Sequence, residues 1–258
     1  MGADHPDYRT ELEDFLAVLA QPGDEGQPFI VVGGHGANYW AKLYLPREPR
    51  LATHLPFTSK DLDLVGSRAS ALRVAQILGW TFLEPPIRGG PVQGVISSSA
   101  EPTPLTVEFL TEIKGVPADT IRVFTRANLI RPEGTERPMP IRVLDPVMLL
   151  AGKVRNAVDI GQDAPERPRQ DVKHVAMLGL CVPHFLVDLL AESPAATQAE
   201  MLQKYAAVLA ALKRSYSGRT FEARHPGTIH WADLVPAVIK QVALDETTRA
   251  ALRELGSL

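Results

Sequence analysis

Apolar residues follow two spacings along this chain, and together they predict an α+β fold. Short runs that are rich in β-branched residues, or that alternate with polar residues, predict strands. These runs are 29–32, 61–65, 80–83, 92–97, 105–110, 121–124 and 141–144. Between them, apolar residues repeated every three or four positions predict helices at 8–20, 35–43 and 67–78. The first part of the chain is therefore expected to form a mixed sheet with flanking helices.

The pattern after residue 144 is helical throughout. Asp145 followed by Pro146 is a typical helix start, because aspartate caps the first turn and proline fits its first position. Prolines are expected to divide the helical run, Pro165 and Pro168 by separating two helices and Pro183 by starting a third. The predicted domains are an α+β domain at 1–144 and a helical domain at 145–258 that completes an active-site cleft.

Composition narrows the class of protein. The 258 residues are enough for one large domain or two smaller ones. No apolar stretch approaches the ~18 residues of a membrane span, so no membrane association is expected. The single cysteine, Cys181, excludes an internal disulfide and fits a reducing cytoplasm. The net charge of −3 argues against a surface that coats DNA.

Two aspartates, Asp61 and Asp63, flank a single leucine in a predicted strand. Alternate residues of a strand share one face, about 7 Å apart, so both carboxylates are expected to point away from the core. Paired carboxylates repel unless a cation lies between them, and hard oxygen ligands of this kind suit Mg²⁺. The alternative is a solvated edge strand whose outward positions are polar.

A diglycine, Gly33-Gly34, ends the apolar run 29–32 and precedes a predicted helix. Glycine lets the backbone approach a phosphate closely, and the first N–H groups of a helix attract anions. A tight strand-to-helix turn without a ligand explains the same pattern equally well.

A third acid, Glu108, is the one charged residue in the apolar run 105–110. If this run is a neighbouring strand, Glu108 is expected to stand beside Asp61 and Asp63 and to complete a metal site with them. The alternative is again an exposed face, and the nearby Glu112 fits the same part.

Two long connections carry basic residues, and each is predicted either to bind an acceptor substrate or to be plain surface. The first, 45–60, contains Arg47, Arg50, His54 and Lys60. The second, 161–169, contains Asp163, Glu166, Arg167 and Arg169.

The order of these motifs resembles the polymerase-beta-like nucleotidyltransferase superfamily, over about residues 28–178. A diglycine closes one strand, Asp-x-Asp lies on the next, and an acid lies on a third. Segment 143–157 resembles the part that carries an active-site lysine, and segment 169–174 resembles the Arg/Lys-x-Asp helix that follows it. The layout is similar to the AbiEii/MenT group, the nucleotidyltransferase-like toxins of bacterial toxin–antitoxin and phage-defence systems.

The resemblance implies a cytoplasmic, Mg²⁺-dependent nucleotidyltransferase that moves an NMP from an NTP to an acceptor hydroxyl. The implied catalytic residues are Asp61, Asp63, Lys153 and Asp171. The implied metal ligands are Asp61, Asp63 and Glu108. The implied nucleotide-binding residues are Gly33, Gly34, Lys60, Asn156 and Arg169.

The resemblance also implies partners. The acceptor is expected to be the 3′ end of tRNA or, second, a protein hydroxyl, and a cognate antitoxin protein is expected if the chain is a toxin. Two other functions fit the same residues. One is a small-molecule nucleotidyltransferase of the antibiotic-modifying type, and the other is a catalytically inactive binding protein with a nucleotidyltransferase fold.

Overall fold

A seven-stranded mixed sheet forms the β-part of the protein. The computed structural model describes residues 10–85, 87, 89–100, 104–116, 118–131, 137–160, 169–242 and 244–257. The strands are β1 (Ile30–Val31), β2 (Leu62–Val65), β3 (Thr81–Leu83), β4 (Val92–Ser97), β5 (Thr106–Leu110), β6 (Thr125–Ile130) and β7 (Met139–Leu144). Their order across the sheet is β3-β4-β5-β2-β1-β7-β6. The pairs β2–β5 and β1–β7 are parallel, and the other neighbouring pairs are antiparallel.

Helices accompany the sheet and predominate in the described residues after it, so the predicted α+β class is confirmed. Those before residue 145 are α1 (Leu16–Leu19), α2 (Gly33–Tyr44), α3 (Arg68–Leu78) and α4 (Ala118–Val123). Those after it are α5 (Pro146–Asp159), α6 (Asp171–Glu192), α7 (Ala195–Arg214), α8 (Tyr216–Arg224) and α9 (Glu246–Leu255). Short 3₁₀ helices occupy Leu12–Phe15, Asp24–Gly26, Pro49–His54, Trp231–Asp233 and Ala237–Gln241.

The chain divides into two units. The first comprises Met1–Tyr39 and Pro56–Asp145, and it contains the whole sheet. The second comprises Trp40–Leu55 and Pro146–Leu258, and it contains α5 to α9. The division after Asp145 lies one residue from the predicted boundary. The structure differs from the prediction in grouping the end of α2 and the connection after it with the helical unit.

Alternation along the central strands determines which side chains are buried. On β2, Leu62 and Leu64 are fully buried while Asp63 is only half-buried. On β5, Val107 and Phe109 are buried and pair in register with the two leucines. Because successive residues of a strand point to opposite faces, the apolar residues of both strands share one face and leave the acids on the other.

One predicted strand is wrong. Residues 121–124 were expected to be extended, but Ile121 lies in helix α4, where its carbonyl accepts a hydrogen bond from Thr125 Oγ1 at 2.6 Å. A four-residue apolar run is too short for its periodicity to separate helix from strand. The strand in this region is β6, at Thr125–Ile130, whose mixed polar sequence gave no clear signal.

A second correction concerns Pro183, which does not start a helix. It lies inside α6, a continuous helix of 22 residues. Within the described residues, α6 is the one helix that is long and apolar enough to cross a membrane, and 56% of its most apolar stretch is buried inside the protein. Core helices of soluble proteins are often as long and as apolar, so these properties are weak evidence for a membrane span. Pro165 and Pro168, which were expected to separate two helices, lie outside the described residues.

Candidate functional site

The sheet places Asp63 and Glu108 side by side. They are register partners on the adjacent parallel strands β2 and β5. Partners in register direct their side chains to the same face, with neighbouring strands about 4.8 Å apart. Asp63 and Glu108 therefore lie next to each other on the same face of the sheet.

Gly33 contacts the same carboxylate. The φ of Gly33 is +61°, a left-handed backbone conformation that residues other than glycine rarely adopt. A Cβ added to Gly33 would lie 1.7 Å from Oδ2 of Asp63. The main chains are also joined, since Val32 N donates to Asp63 O at 3.0 Å. Glycine at position 33 thus allows the start of α2 to pass directly beside the Asp63 carboxylate.

The helix that begins here is α2, whose first internal hydrogen bond runs from Gly36 N to Val32 O at 3.0 Å. The N–H groups of its first turn precede that bond and are directed towards the N-terminal end of the helix. The partial positive charge of a helix N-terminus stabilises a nearby carboxylate and equally attracts a phosphate. Asp63 accordingly has a local structural role, in addition to any role in binding.

Asp61 lies at a bend just before β2, so strand alternation does not determine where its side chain points. Lys60, next to it, is exposed. Among the described residues, no group of three or more His, Cys, Asp or Glu side chains is placed to hold a metal ion. The three-acid site therefore stays a prediction. The neighbouring oxygen donors of Asp63 and Glu108 do suit Mg²⁺, which proteins commonly hold with one or two carboxylates plus substrate phosphates.

The segment before Asp61 is tied to the start of α2 through Thr10. Thr10 and Ser59 exchange two main-chain hydrogen bonds of 3.2 and 3.0 Å, and Thr10 Oγ1 donates to Ser59 O at 2.6 Å. Because that hydroxyl is already a donor, it accepts from Nε2 of His35, 3.3 Å away. Burial lowers the pKa of His35 to about 3, so this histidine is neutral and does not supply positive charge to a phosphate.

The helical unit contains a buried charged group built around Asp171. Lys153 Nζ on α5 donates to Asp171 Oδ1 at 2.9 Å, and Arg169 Nε donates to Oδ2 at 2.6 Å. Lys153 is 8% exposed and Asp171 is 1% exposed, whereas Arg169 is partly exposed. Lys153 is therefore buried against Asp171 and does not face solvent.

Electrostatics keep Asp171 ionised. Burial alone raises the pKa of its carboxyl, but the charges and hydrogen bonds of Lys153 and Arg169 outweigh burial and hold that pKa at about 2. Asn156, three residues after Lys153 on α5, is half-buried. The structure thus brings Lys153, Asp171 and Arg169 together in one unit, and Gly33, Asp63 and Glu108 together in the other.

Sequence reasoning missed the partners of the arginines in connection 45–60. Arg50 donates two 2.7 Å hydrogen bonds to the carboxylate of Glu48, and Arg47 donates to both oxygens of Asp188 at 2.8 and 2.7 Å. His184 Nε2 lies 3.5 Å from Glu48 Oε2. The Arg50 hydrogen bonds are the main reason that the pKa of Glu48 falls to about 2. Arg47 and Arg50 are therefore engaged in ion pairs. In the sequence, Glu48 followed by Pro49 indicates the start of the short helix Pro49–His54, because the acid caps the helix and proline fits its first position.

The second basic connection lies almost wholly outside the described residues, which resume at Arg169. Asp163, Glu166 and Arg167 belong to the part that the structure does not describe. The prediction that this connection binds an acceptor therefore stays a prediction.

Comparison with known proteins adds no family to this picture. No protein-family model matches the chain, and no curated protein matches it.

Proposed function

We propose that the protein is a Mg²⁺-dependent nucleotidyltransferase that moves an NMP from an NTP to an acceptor hydroxyl. The observation that carries this proposal is the arrangement of Asp63, Glu108 and Gly33. Two carboxylates stand in register on parallel strands, and one of them lies against the glycine that begins a 12-residue helix. Carboxylates beside a helix N-terminus combine sites for a cation and for phosphate.

The chemistry assigned to the residues follows from their charges. Asp63 and Glu108, with Asp61 as the predicted third ligand, would hold Mg²⁺, which supplies charge neutralisation at the phosphates. The first N–H groups of α2 would bind phosphate oxygens. A carboxylate not occupied by the cation would accept the proton of the attacking hydroxyl and orient that hydroxyl for in-line attack on the α-phosphorus of the NTP, which breaks the bond to the β-phosphate and releases pyrophosphate. The phosphate-binding role of Lys153 stays a prediction, and its described partner is Asp171.

For the acceptor we propose an RNA 3′ hydroxyl, with tRNA as the first candidate. The support is the resemblance of the motif order to the AbiEii/MenT group. The same resemblance supports a cytoplasmic toxin with an antitoxin partner. The location and the partner rest on that resemblance and not on the geometry of the site.

The experiment that tests this function is direct label transfer. The purified protein is incubated with Mg²⁺, total tRNA and each of the four α-³²P-labelled NTPs in turn, and labelled RNA is resolved on a denaturing gel. The proposal predicts labelled tRNA with at least one NTP, and no label when EDTA replaces Mg²⁺. Absence of label with every NTP would contradict the tRNA acceptor, and a parallel reaction with aminoglycosides tests the small-molecule alternative.

A further inference from the structure

Arg142, on β7, shares a face of the sheet with Asp63 and Glu108. It is the register partner of Ile30 on β1, and Ile30 is the partner of Val65 on β2. Register partners direct their side chains to the same face, and Val65 shares its face with Asp63, two positions away on the same strand. Neighbouring strands lie about 4.8 Å apart and each strand residue advances about 3.3 Å, so the Cα atoms of Arg142 and Asp63 are separated by about 12 Å. The basic side chain of β7 and the two acids therefore stand on one side of the sheet.

The register assigns three ionisable side chains of the seven strands to this face, those of Asp63, Glu108 and Arg142. The neighbouring arginine, Arg126 on β6, is the register partner of Val143 and points to the opposite face. Arg142 is thus the one cation that the strand residues carry to the side of the acids.

The surroundings of Arg142 are apolar and supply no counter-charge. Arg142 is half-buried, and no hydrogen-bond or ion-pair partner is found for its guanidinium among the described residues. On the same face, its partner Ile30 is buried and Leu144, two positions along β7, is fully buried. Arginine is rarely withdrawn from water without an acid, because the lost hydration is then not compensated, and Lys153 in the helical unit has Asp171 for this purpose. A half-buried cation without such a carboxylate in the described part of the chain is the arrangement expected where a ligand supplies the anion.

The charges on this face favour a phosphate as that anion. The carboxylates of Asp63 and Glu108 balance the two charges of Mg²⁺, so the phosphates of a substrate would bring negative charge that the metal site alone does not neutralise. Arg142 is the cation that the sheet offers to this charge, and a guanidinium can donate to two phosphate oxygens at once. A cationic acceptor such as an aminoglycoside would instead be repelled by Arg142, since like charges oppose binding.

We propose that Arg142 binds a phosphate group of a substrate at the site of Asp63 and Glu108. This inference rests on the proposed function, in which the NTP and the RNA acceptor both bring phosphates to the acids. Arg142 holds that phosphate through charge-assisted hydrogen bonds beside the metal site. The phosphate belongs either to the NTP or to the RNA backbone, and binding of each source alone separates the two.

Two probes measure this binding without any transfer. Inorganic tripolyphosphate with Mg²⁺ stands for the phosphates of the NTP and is titrated by calorimetry, and a fluorescein-labelled single-stranded RNA of about 12 nucleotides is followed by fluorescence anisotropy. Arg142→Gln should weaken binding of at least one probe about tenfold, and Arg142→Lys should weaken it less because the charge is kept. If that probe is the RNA, the slope of log Kd against log salt should also fall by about 0.7, the value for one phosphate contact. Arg131→Gln, which removes an equal charge from an exposed position just after β6, should change binding much less.

Loss of tripolyphosphate binding would assign the phosphate to the NTP, and loss of RNA binding would assign it to the acceptor. The proposal is overturned if the wild type binds neither probe, if Arg142→Gln binds both as the wild type does, or if Arg142→Lys or Arg131→Gln loses as much as Arg142→Gln. Because Arg142 has no partner among the described residues, its replacement should not lower the melting temperature, and a lower value with weakened binding would assign it a structural role instead. Label transfer is measured separately, so phosphate binding that depends on Arg142 without transfer would refute the proposed reaction and leave the phosphate site intact.

Discussion

Asp63 packs so closely against Gly33 that a Cβ on Gly33 would lie 1.7 Å from Oδ2 of the Asp63 carboxylate. The strand that carries the acid and the helix that starts at the glycine are therefore fitted to one another at the atomic level. Neither position is independent of the other, because a side chain at 33 would have to displace the carboxylate beside Glu108.

Gly33→Ala is expected to destabilise the protein through both strain and overlap. A left-handed alanine costs about 1–2 kcal/mol, and overpacking adds about 1–3 kcal/mol. Gly79→Ala is the matched control, because Gly79 has a φ of +66° and nothing within 4 Å of an added Cβ. Urea denaturation of both variants measures the difference. Equal losses of unfolding free energy would show that the Asp63 contact is unimportant.

Asp171→Ala is expected to reduce the free energy of unfolding by about 3–5 kcal/mol, because it leaves Lys153 buried without its carboxylate. Lys204→Ala breaks the exposed Lys204–Glu200 pair and should have a much smaller effect. Chemical denaturation of the two variants gives the comparison. A loss at Asp171 no larger than that at Lys204 would contradict the importance of the buried group.

Asp171 also predicts how stability depends on pH. Its carboxyl has an ordinary pKa of 3.8 and a folded pKa of about 2. A lowered folded pKa contributes stability that is complete above 3.8 and is lost as the pH falls through about 2. The contribution amounts to about 2 kcal/mol. Unfolding free energies of the wild type and Asp171→Asn, measured from pH 5 to pH 2, should converge towards the acid end. A constant difference across that range would contradict the lowered pKa.

His35 is expected to stay neutral at every physiological pH, because its folded pKa is about 3 against an ordinary value of 6.5. The unfolded chain binds this proton below 6.5 and the folded chain does not, so the resulting stability is complete above 6.5 and declines as the pH falls towards 3. A long-range ¹H–¹⁵N NMR titration of the imidazole checks the state directly. A midpoint near 6.5 would show that the ring is open to solvent.

Local patterns in the sequence predicted much of the sheet. Alternation in 61–65 placed Leu62 and Leu64 in the core and turned Asp63 away from it, as the structure has it. The position of Glu108 beside Asp63 followed from the same rule once both runs were strands. These features depend on the alternation of side chains between the two faces of a strand, and this two-residue period can be recognised in a single sequence.

The remaining features depend on contacts that no local pattern records. Arg47 pairs with Asp188, 141 positions away, so its partner was invisible in the connection 45–60. Pro183 is accommodated inside α6 although proline disfavours a helix interior, because tertiary packing overrides local propensity. The clash that requires glycine at position 33 likewise appears only when strand and helix are assembled.

Amide variants of Asp63 and Glu108 test directly whether these two acids form the proposed metal-dependent transfer site. Asp63→Asn and Glu108→Gln keep side-chain size and remove charge, while Glu112→Gln makes the same change at an exposed acid beyond the end of β5. Transfer of labelled NMP to tRNA and thermal melting are measured on the same preparations. We expect at least a ~100-fold loss of transfer for Asp63→Asn and Glu108→Gln, a retained fold, and normal transfer for Glu112→Gln. Wild-type transfer by a folded Asp63→Asn protein would show that this carboxylate is not needed for the reaction.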